Sequence, residues 1–215
     1  MNVALIGASG FIGSALRQEA LSRGHRVTAL VTHPDRLQPA TGLSIVQVDV
    51  HDTPALAAAL TGVEVVISAF SGHAQADVRG YYVAGVESIV AAVKAAGVPR
   101  LLIVGGAGGL EVAPGVRLLD TPGFPAQWKG TAEVAWDALT LLRSEAALDW
   151  AMLAPPAHIE PGERTGRYRV GTDALLVDAK GDSHISVQDY AVAMIDELET
   201  PQHRRARFTV AEALG

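Results

Sequence analysis

A four-residue apolar run, Val3–Ile6, stops at Gly7-Ala8-Ser9-Gly10-Phe11-Ile12-Gly13 and gives way at once to a helical pattern that continues to Arg23. This junction constrains the fold more than any other stretch. Gly7 permits a tight turn out of the strand, Gly10 lets the backbone approach a pyrophosphate, and Gly13 lets the helix pack close to the sheet. The start of the helix then offers unpaired N–H groups and a positive dipole end to phosphates. Glycine spacing alone is a weak signal in a chain with 22 glycines. The context sharpens it, because a second strand pattern, Arg26–Val31, follows the helix and completes a strand–helix–strand unit. The competing reading is a structural turn that binds nothing.

The alternation continues. Ser44–Val48, Val63–Ser68, Arg100–Val104 and Asp149–Leu153 read as strands, and several are almost continuously apolar, as expected of strands covered on both faces. Helical patterns span Pro54–Leu60, Tyr81–Ala96 and Gln127–Ser144. Asp52 or Thr53 caps the first of these ahead of Pro54, and Ala96-Gly97-Val98-Pro99 ends the second. Such repetition implies parallel pairing through right-handed crossovers. The expected fold is therefore α/β, a Rossmann-type doubly wound parallel sheet, with residues 1–215 forming one domain. Beyond about residue 155 the pattern changes. Arg167–Val170 and Leu175–Val177 read as short strands, Ala179–Asp182 as a turn, a helix opens at Ser186 or Asp189 and runs through Leu198, and Phe208–Val210 is a further strand. Residues 155–215 are expected to form a small C-terminal cap on the substrate side, over the carboxyl edge of the sheet.

Composition excludes several functions. With 49 % hydrophobic and 19 % charged residues among 215, the chain can bury a core. A net charge of −6 with no basic run argues against nucleic acid as a partner. No cysteine is present for a disulfide, a thiolate metal site or a thiol nucleophile, and the seven histidines show no metal-ligand spacing. No stretch resembles a signal peptide or a membrane span, so a cytoplasmic address without membrane attachment is expected. A homodimer is allowed by the sequence.

The end of the second strand bears on the choice between NAD and NADP. An acidic residue there would bind the ribose hydroxyls of NAD and repel a 2′-phosphate. Thr32 occupies the tip, followed by His33-Pro34-Asp35-Arg36. NADP(H) is favoured, with Arg36 placed to pair with the phosphate and Asp35 as the counter-argument; His33 and Arg36 are alternatively plain solvated loop residues. Other strand ends complete the expected crevice. Asp49-Val50 flanks the adenine, or else Asp49 ties its loop; Ser68-Ala69-Phe70 and the residues through His73 border the ribose; Gly105-Gly106 follows the fifth strand.

These pieces together resemble the atypical branch of the short-chain dehydrogenase/reductase superfamily, in the group of NADH-flavin reductases and NAD(P)H-binding proteins that neighbours NmrA-like regulators and biliverdin reductase B. The resemblance rests on Ala4–Gly13, Asp49-Val50, Leu102–Gly108, Asp149–Pro156 and Ile185–Ala191, and so covers most of the chain. It implies that Pro155-Pro156-Ala157-His158 passes beside the nicotinamide.

One part of the superfamily pattern is missing. Typical members reduce carbonyls with a Ser, Tyr and Lys set, the Tyr and Lys four apart on one helical face, where the lysine lowers the tyrosine pKa. Here Gly105-Gly106-Ala107 stands where the serine is expected, the next helix has Trp128-Lys129 and no such tyrosine, and Tyr81-Tyr82 precede Lys94 by too much. Alcohol–ketone chemistry, epimerisation and dehydration all need a proton relay. Hydride transfer to a flavin or quinone does not, because the acceptor ring takes up the charge and water can supply the proton. The leading expectation is an NAD(P)H-dependent reductase with a small-molecule electron acceptor, a flavin being a possible co-substrate. The alternatives are a non-catalytic NADP(H) sensor of the NmrA type and, more weakly, a nucleotide-sugar epimerase or dehydratase. Candidates at the mouth of the site are His73 and His158, both expected in loops and able to donate a proton, Lys129, and Trp128, which would stack on an acceptor ring or lie part-buried.

Overall fold

The computed structural model describes residues 1–72 and 75–214. In chain order its elements are β1 (Asn2–Ile6), α1 (Phe11–Ser22), β2 (Arg26–Val31), β3 (Leu43–Gln47), α2 (Thr53–Ala59), β4 (Val65–Ser68), α3 (Val78–Ala95), β5 (Arg100–Val104), β6 (Glu111–Ala113), β7 (Val116–Arg117), α4 (Ala126–Ser144), β8 (Asp149–Ala154), β9 (His158–Glu160), β10 (Tyr168–Gly171), β11 (His184–Ser186), α5 (Val187–Glu199) and β12 (Ala206–Glu212). Among the described residues, eight strands make one sheet in the order β3-β2-β1-β4-β5-β8-β12-β10, parallel throughout except for β10. The order reverses between β1 and β4, the switch point at which doubly wound sheets open a crevice beyond their carboxyl ends.

The apolar strands divide their side chains between two layers. Val3, Leu5, Val65, Ile67, Leu102, Ala151 and Leu153 face a core shared with α1 and α5. Ala4, Ile6, Val66, Leu101, Ile103, Trp150 and Met152 face the opposite core, built with α2, α3 and α4. Alternation along a strand is thus present, but both faces are dry, which is why the runs look continuous in sequence. Asp52 caps α2 by accepting the Ala55 N–H at 3.0 Å. Asp77 caps α3 in the same way through Gly80, so that helix begins at Val78, ahead of the expected Tyr81. Ser186 caps α5 through Asp189 N–H at 3.0 Å.

The C-terminal third does more than cover the carboxyl edge. β9 and β11 form a small parallel sheet just beyond β8, while β12 and β10 extend the main sheet and α5 packs beside α1. Leu175–Val177 is not a strand. The segment makes one bridge, Ala174 with Glu111, and then enters a turn in which the Asp178 carboxylate accepts the Lys180 and Asp182 N–H groups at 2.8 and 2.9 Å. Side-chain capture of the backbone therefore wins over strand propensity.

Helix α1 is fixed at both ends. At its start, a Cβ on Gly13 would lie 2.0 Å from the Gly7 carbonyl oxygen, so helix and loop touch through the bare glycine. Near its end, buried Glu19 receives Arg164 Nε and Nη2 and Arg23 Nε, each at 2.7 Å, and Arg23 continues to Asp196 and Glu199 of α5. The Arg164 hydrogen bonds, helped by Arg23, hold the Glu19 carboxyl below its ordinary value against the opposing effect of burial.

Two outcomes follow. Gly13→Ala is expected to cost about 3 kcal/mol, a fall in Tm of roughly 6–12 °C, measured by thermal unfolding; an unchanged Tm would contradict the tight docking. Because its folded-state value is lowered, ionised Glu19 adds stability above the ordinary carboxylate range and loses it as pH falls through that lowered value. Glu19→Gln should therefore be less stable than wild type at pH 7 in denaturant unfolding, and the gap should narrow on acidification.

Candidate functional site at the carboxyl edge of the sheet

The glycine loop lies at the switch point. Gly7 takes φ +76°, the left-handed region, and its missing Cβ leaves room for the Ala69 carbonyl oxygen, which a side chain would meet at 2.6 Å. The loops after β1 and β4 therefore touch through backbone alone. Gly10 is the N-cap of α1, with no side-chain cap and no acidic residue in the first turn. Ser9, Gly10 and Phe11 are exposed, Ile12 is half-buried and Gly13 is buried. The helix start is thus open on its outer side, with N–H groups and a positive dipole end facing solvent. A Cβ on Gly10 would make only ordinary contact, 3.4 Å from the Gly7 carbonyl oxygen, and its backbone (φ −76°, ψ 176°) suits any residue. Nothing in the protein's own packing demands a glycine there.

On the β2–β3 side, Thr32 and His33 are exposed, and Pro34–Arg36 forms a short 3-10 turn that carries Asp35 and Arg36 outward. The Thr32 carbonyl accepts Gln47 Nε2 at 3.2 Å. After β3, the Asp49 carboxylate accepts the His51 backbone N–H at 2.9 Å and His51 Nδ1 at 3.0 Å, while His51 Nε2 faces the Tyr81 carbonyl at 3.0 Å. The His51 amide, assisted by the ring, holds the Asp49 carboxyl below its usual range. The Asp49 side chain stays 60 % exposed, so it both ties its loop and presents an oxygen to solvent. Val50 is buried, and its carbonyl accepts the Ser88 hydroxyl. His51 is a residue that the sequence reading missed, and a histidine two positions after a strand-end aspartate is the available signal; Tyr81, weighed there only for a Tyr/Lys pair, enters instead through its backbone carbonyl.

On the other side of the switch point, Ser68 is buried and Ala69 and Phe70 are half-buried. The Phe70 ring stacks on Tyr82 at 5.7 Å and fills the space where Gly85 lacks a Cβ, leaving the residue half-buried. His73 lies outside the described residues. Gly105 donates to the Leu153 carbonyl at 2.8 Å. A Cβ on Gly105 would meet Met152 Cγ at 2.8 Å, and one on Gly106 would meet the Ala135 Cβ at 2.8 Å. Helix α4 thus presses onto Gly106 and the Met152 side chain of β8 onto Gly105, so a side chain at Gly106 meets the helix directly. Pro155 and Pro156, after β8, are buried.

Three mouth residues need correction or placement. Trp128 is 54 % exposed rather than part-buried; Ala126–Gly130 at the start of α4 are all exposed, and the first buried residue of the helix is Ala132. Lys129 is exposed on the same turn. His158 is not in a loop; it lies in β9, exposed, its N–H donating to the Ser183 carbonyl at 2.9 Å.

Neither phenol near the crevice is tuned to give up a proton. Burial pushes Tyr82 up to about 12 and raises Tyr81 as well, and Lys94 is engaged by Glu145 at 2.8 Å. Among the described residues no three His, Cys, Asp or Glu side chains gather to hold a metal ion, and no helix is long and apolar enough to cross a membrane. The uncapped start of α1 at the switch point can accept an anionic group, and among the described residues neither Tyr81 nor Tyr82 pairs with Lys94, which Glu145 engages.

Known proteins share this arrangement. The chain is 40 % identical over 213 residues to YwnB of Bacillus subtilis strain 168, covering 98 % of each. Two solved structures superpose along nearly the whole length. A "putative epimerase" from Bacteroides thetaiotaomicron is 42 % identical with a TM-score of 0.93, covering 100 % of this chain and 98 % of that one. A "putative NADH-flavin reductase" from Streptococcus pneumoniae TIGR4 is 35 % identical with a TM-score of 0.88, covering 99 % of this chain and 100 % of that one. Residues 7–201 match the NAD(P)H-binding family, which takes in both the glycine loop and the C-terminal helix, and the chain belongs to that family.

Proposed function

We propose that this chain is an NADP(H)-dependent reductase of flavin-like or quinone-like acceptors. The observation that carries the reading is the combination of an open dinucleotide cradle with a floor, Gly105-Gly106-Ala107, that holds no serine, and on which α4 packs against the bare Gly106. The residues fit the cofactor. Gly10 leaves space that the protein itself does not need, and the uncapped start of α1 supplies donors for a pyrophosphate. The adenosine half then lies toward β2 and β3, beside Thr32 and Asp49, and the nicotinamide half toward β4, β5 and β8. With no carboxylate at the β2 tip and with His33 and Arg36 exposed beyond it, a 2′-phosphate is favoured over bare ribose hydroxyls.

The cofactor, when bound, supplies a hydride. The chain's own residues bind and orient it: α1 amides hold the phosphates, and Gly105-Gly106 with Pro155-Pro156 exclude water from beneath the ring. No side chain in that floor has to move a proton, which suits an acceptor able to take the charge into its own ring system. The likeness to the pneumococcal protein supports this reading. Epimerisation, named for the Bacteroides protein, needs a proton relay that neither Tyr81 nor Tyr82 is placed or tuned to give.

Purified protein should oxidise NADPH in the presence of FMN or a benzoquinone, followed at the nicotinamide absorbance. Tight NADPH binding with no turnover of either acceptor would sink the reductase reading in favour of a sensor. Gly10→Ala should leave Tm unchanged or slightly raised, since the new side chain meets no clash, while weakening NADPH binding by about tenfold or more in calorimetric titration. Unaltered affinity would place the phosphates elsewhere.

A further inference from the structure

The strand order places the nicotinamide side of the crevice over β4, β5 and β8. There the chain leaves β8 through Leu153-Ala154-Pro155-Pro156-Ala157-His158 and crosses to β9. Pro155 and Pro156 have no amide N–H, so the middle of this crossing has no donor for a backbone ladder. Three hydroxyls from three separate elements hold it instead. Tyr190 of α5 donates to the Leu153 carbonyl at 2.7 Å. Thr209 of β12 donates to the Ala154 carbonyl at 2.9 Å. Ser183, just ahead of β11, accepts the Ala157 N–H at 3.2 Å. Their relative exposures are 0 %, 0 % and 3 %; the Tyr190 and Thr209 bonds are buried away from water, while the Ser183 bond to exposed Ala157 is part-buried.

The Leu153 carbonyl also accepts the Gly105 N–H at 2.8 Å, and one oxygen therefore joins Tyr190 to the floor loop after β5. Burial raises the Tyr190 phenol well above its ordinary value, which keeps the donor proton in place. Its ring sits among Leu153, Val187, Met194 and Phe208 in an apolar layer. A phenylalanine would fill that layer without a polar group to desolvate. The hydroxyl is accounted for by its bond to the strand end.

We propose that Tyr190, seconded by Thr209 and Ser183, is a positioning residue that sets the height of the Leu153–Pro156 backbone on which the nicotinamide ring rests, without touching the cofactor. This rests on the reading that the edge holds NADP(H), and not on turnover.

The test compares two ligands on the full chain by calorimetric titration: NADPH, and 2′-phospho-ADP-ribose, which lacks the nicotinamide. Tyr190→Phe should weaken NADPH about fivefold, the worth of one neutral hydrogen bond, and leave 2′-phospho-ADP-ribose unchanged. Thr209→Val, close to isosteric, should show the same pattern and keeps the test open should the tyrosine variant fail to fold. Equal weakening of both ligands, or a lower Tm with both affinities intact, would reduce these hydroxyls to structural groups and overturn the inference. Wild-type protein that binds both ligands equally would overturn it too, since the ring would then rest on nothing here. The expected pattern in a protein that reduces no acceptor would sink the reductase reading alone.

Discussion

Much of this architecture depends on a contact that contains no side chain. The Gly13 Cα of α1 lies against the Gly7 carbonyl so closely that a methyl group would stand 2.0 Å from the oxygen. That approach places the first turn of the helix directly beyond β1, where its unbonded N–H groups meet the crevice. Gly7, at positive φ, in turn lets the β4 loop come in from the other side. Two glycines therefore serve the protein's own packing, and the third, Gly10, is left over. A position that is small without internal cause, at the open end of an uncapped helix, points outward to a ligand.

A second close approach shapes the floor of the crevice. Helix α4 reaches the loop after β5 through Ala132 and Ala135, and Gly106 and Gly108 complete the contact from below. Small residues on both sides let the two backbones come near, and the same nearness leaves no volume for a side chain at Gly106 or Gly108. Ala107 between them already carries a Cβ and is half-buried, so it lies outside that constraint. The tyrosines of α3 offer no substitute proton relay, since burial pushes both away from acidity and the Asp49 carboxylate adds to the rise at Tyr81.

The sequence made the strand–helix alternation legible because parallel strands buried on both faces have an unmistakable apolar run; β2 and β5 match their expected limits, Arg26–Val31 and Arg100–Val104. Elements governed by single hydrogen bonds were not legible. The hairpin β6–β7 is three residues paired with two, too short for any periodicity, and Leu175–Val177 has strand composition but yields to the Asp178 turn. Side-chain direction was hidden as well. Phe70 has the right place to border a cofactor, and its ring also fills the hole left by Gly85 on α3, the next helix, a contact that residue types along the chain do not show. Trp128 fails in the opposite sense: amphipathic spacing cannot show that every residue of the first turn of α4 is solvent-exposed.

The site's location and its means of support have one cause. At the carboxyl ends of parallel strands the last carbonyls run out of neighbouring N–H groups, and each must find another donor or face water. Around this crevice some donors are neighbouring backbone, as with Ala69 N–H on Ile6 and Gly105 N–H on Leu153, and others are side chains on other elements. Ser88 of α3 reaches the Val50 carbonyl just past β3, while Tyr190 of α5 reaches Leu153 and Thr209 of β12 reaches Ala154 at the end of β8. Each half of the crevice is thereby tied to a different helix, α3 for one and α5 for the other. A ligand spanning both halves is held by a frame whose two sides are braced from opposite layers of the sheet. Rigidity of that kind suits a protein whose task is to keep two rings face to face rather than to pass protons between them.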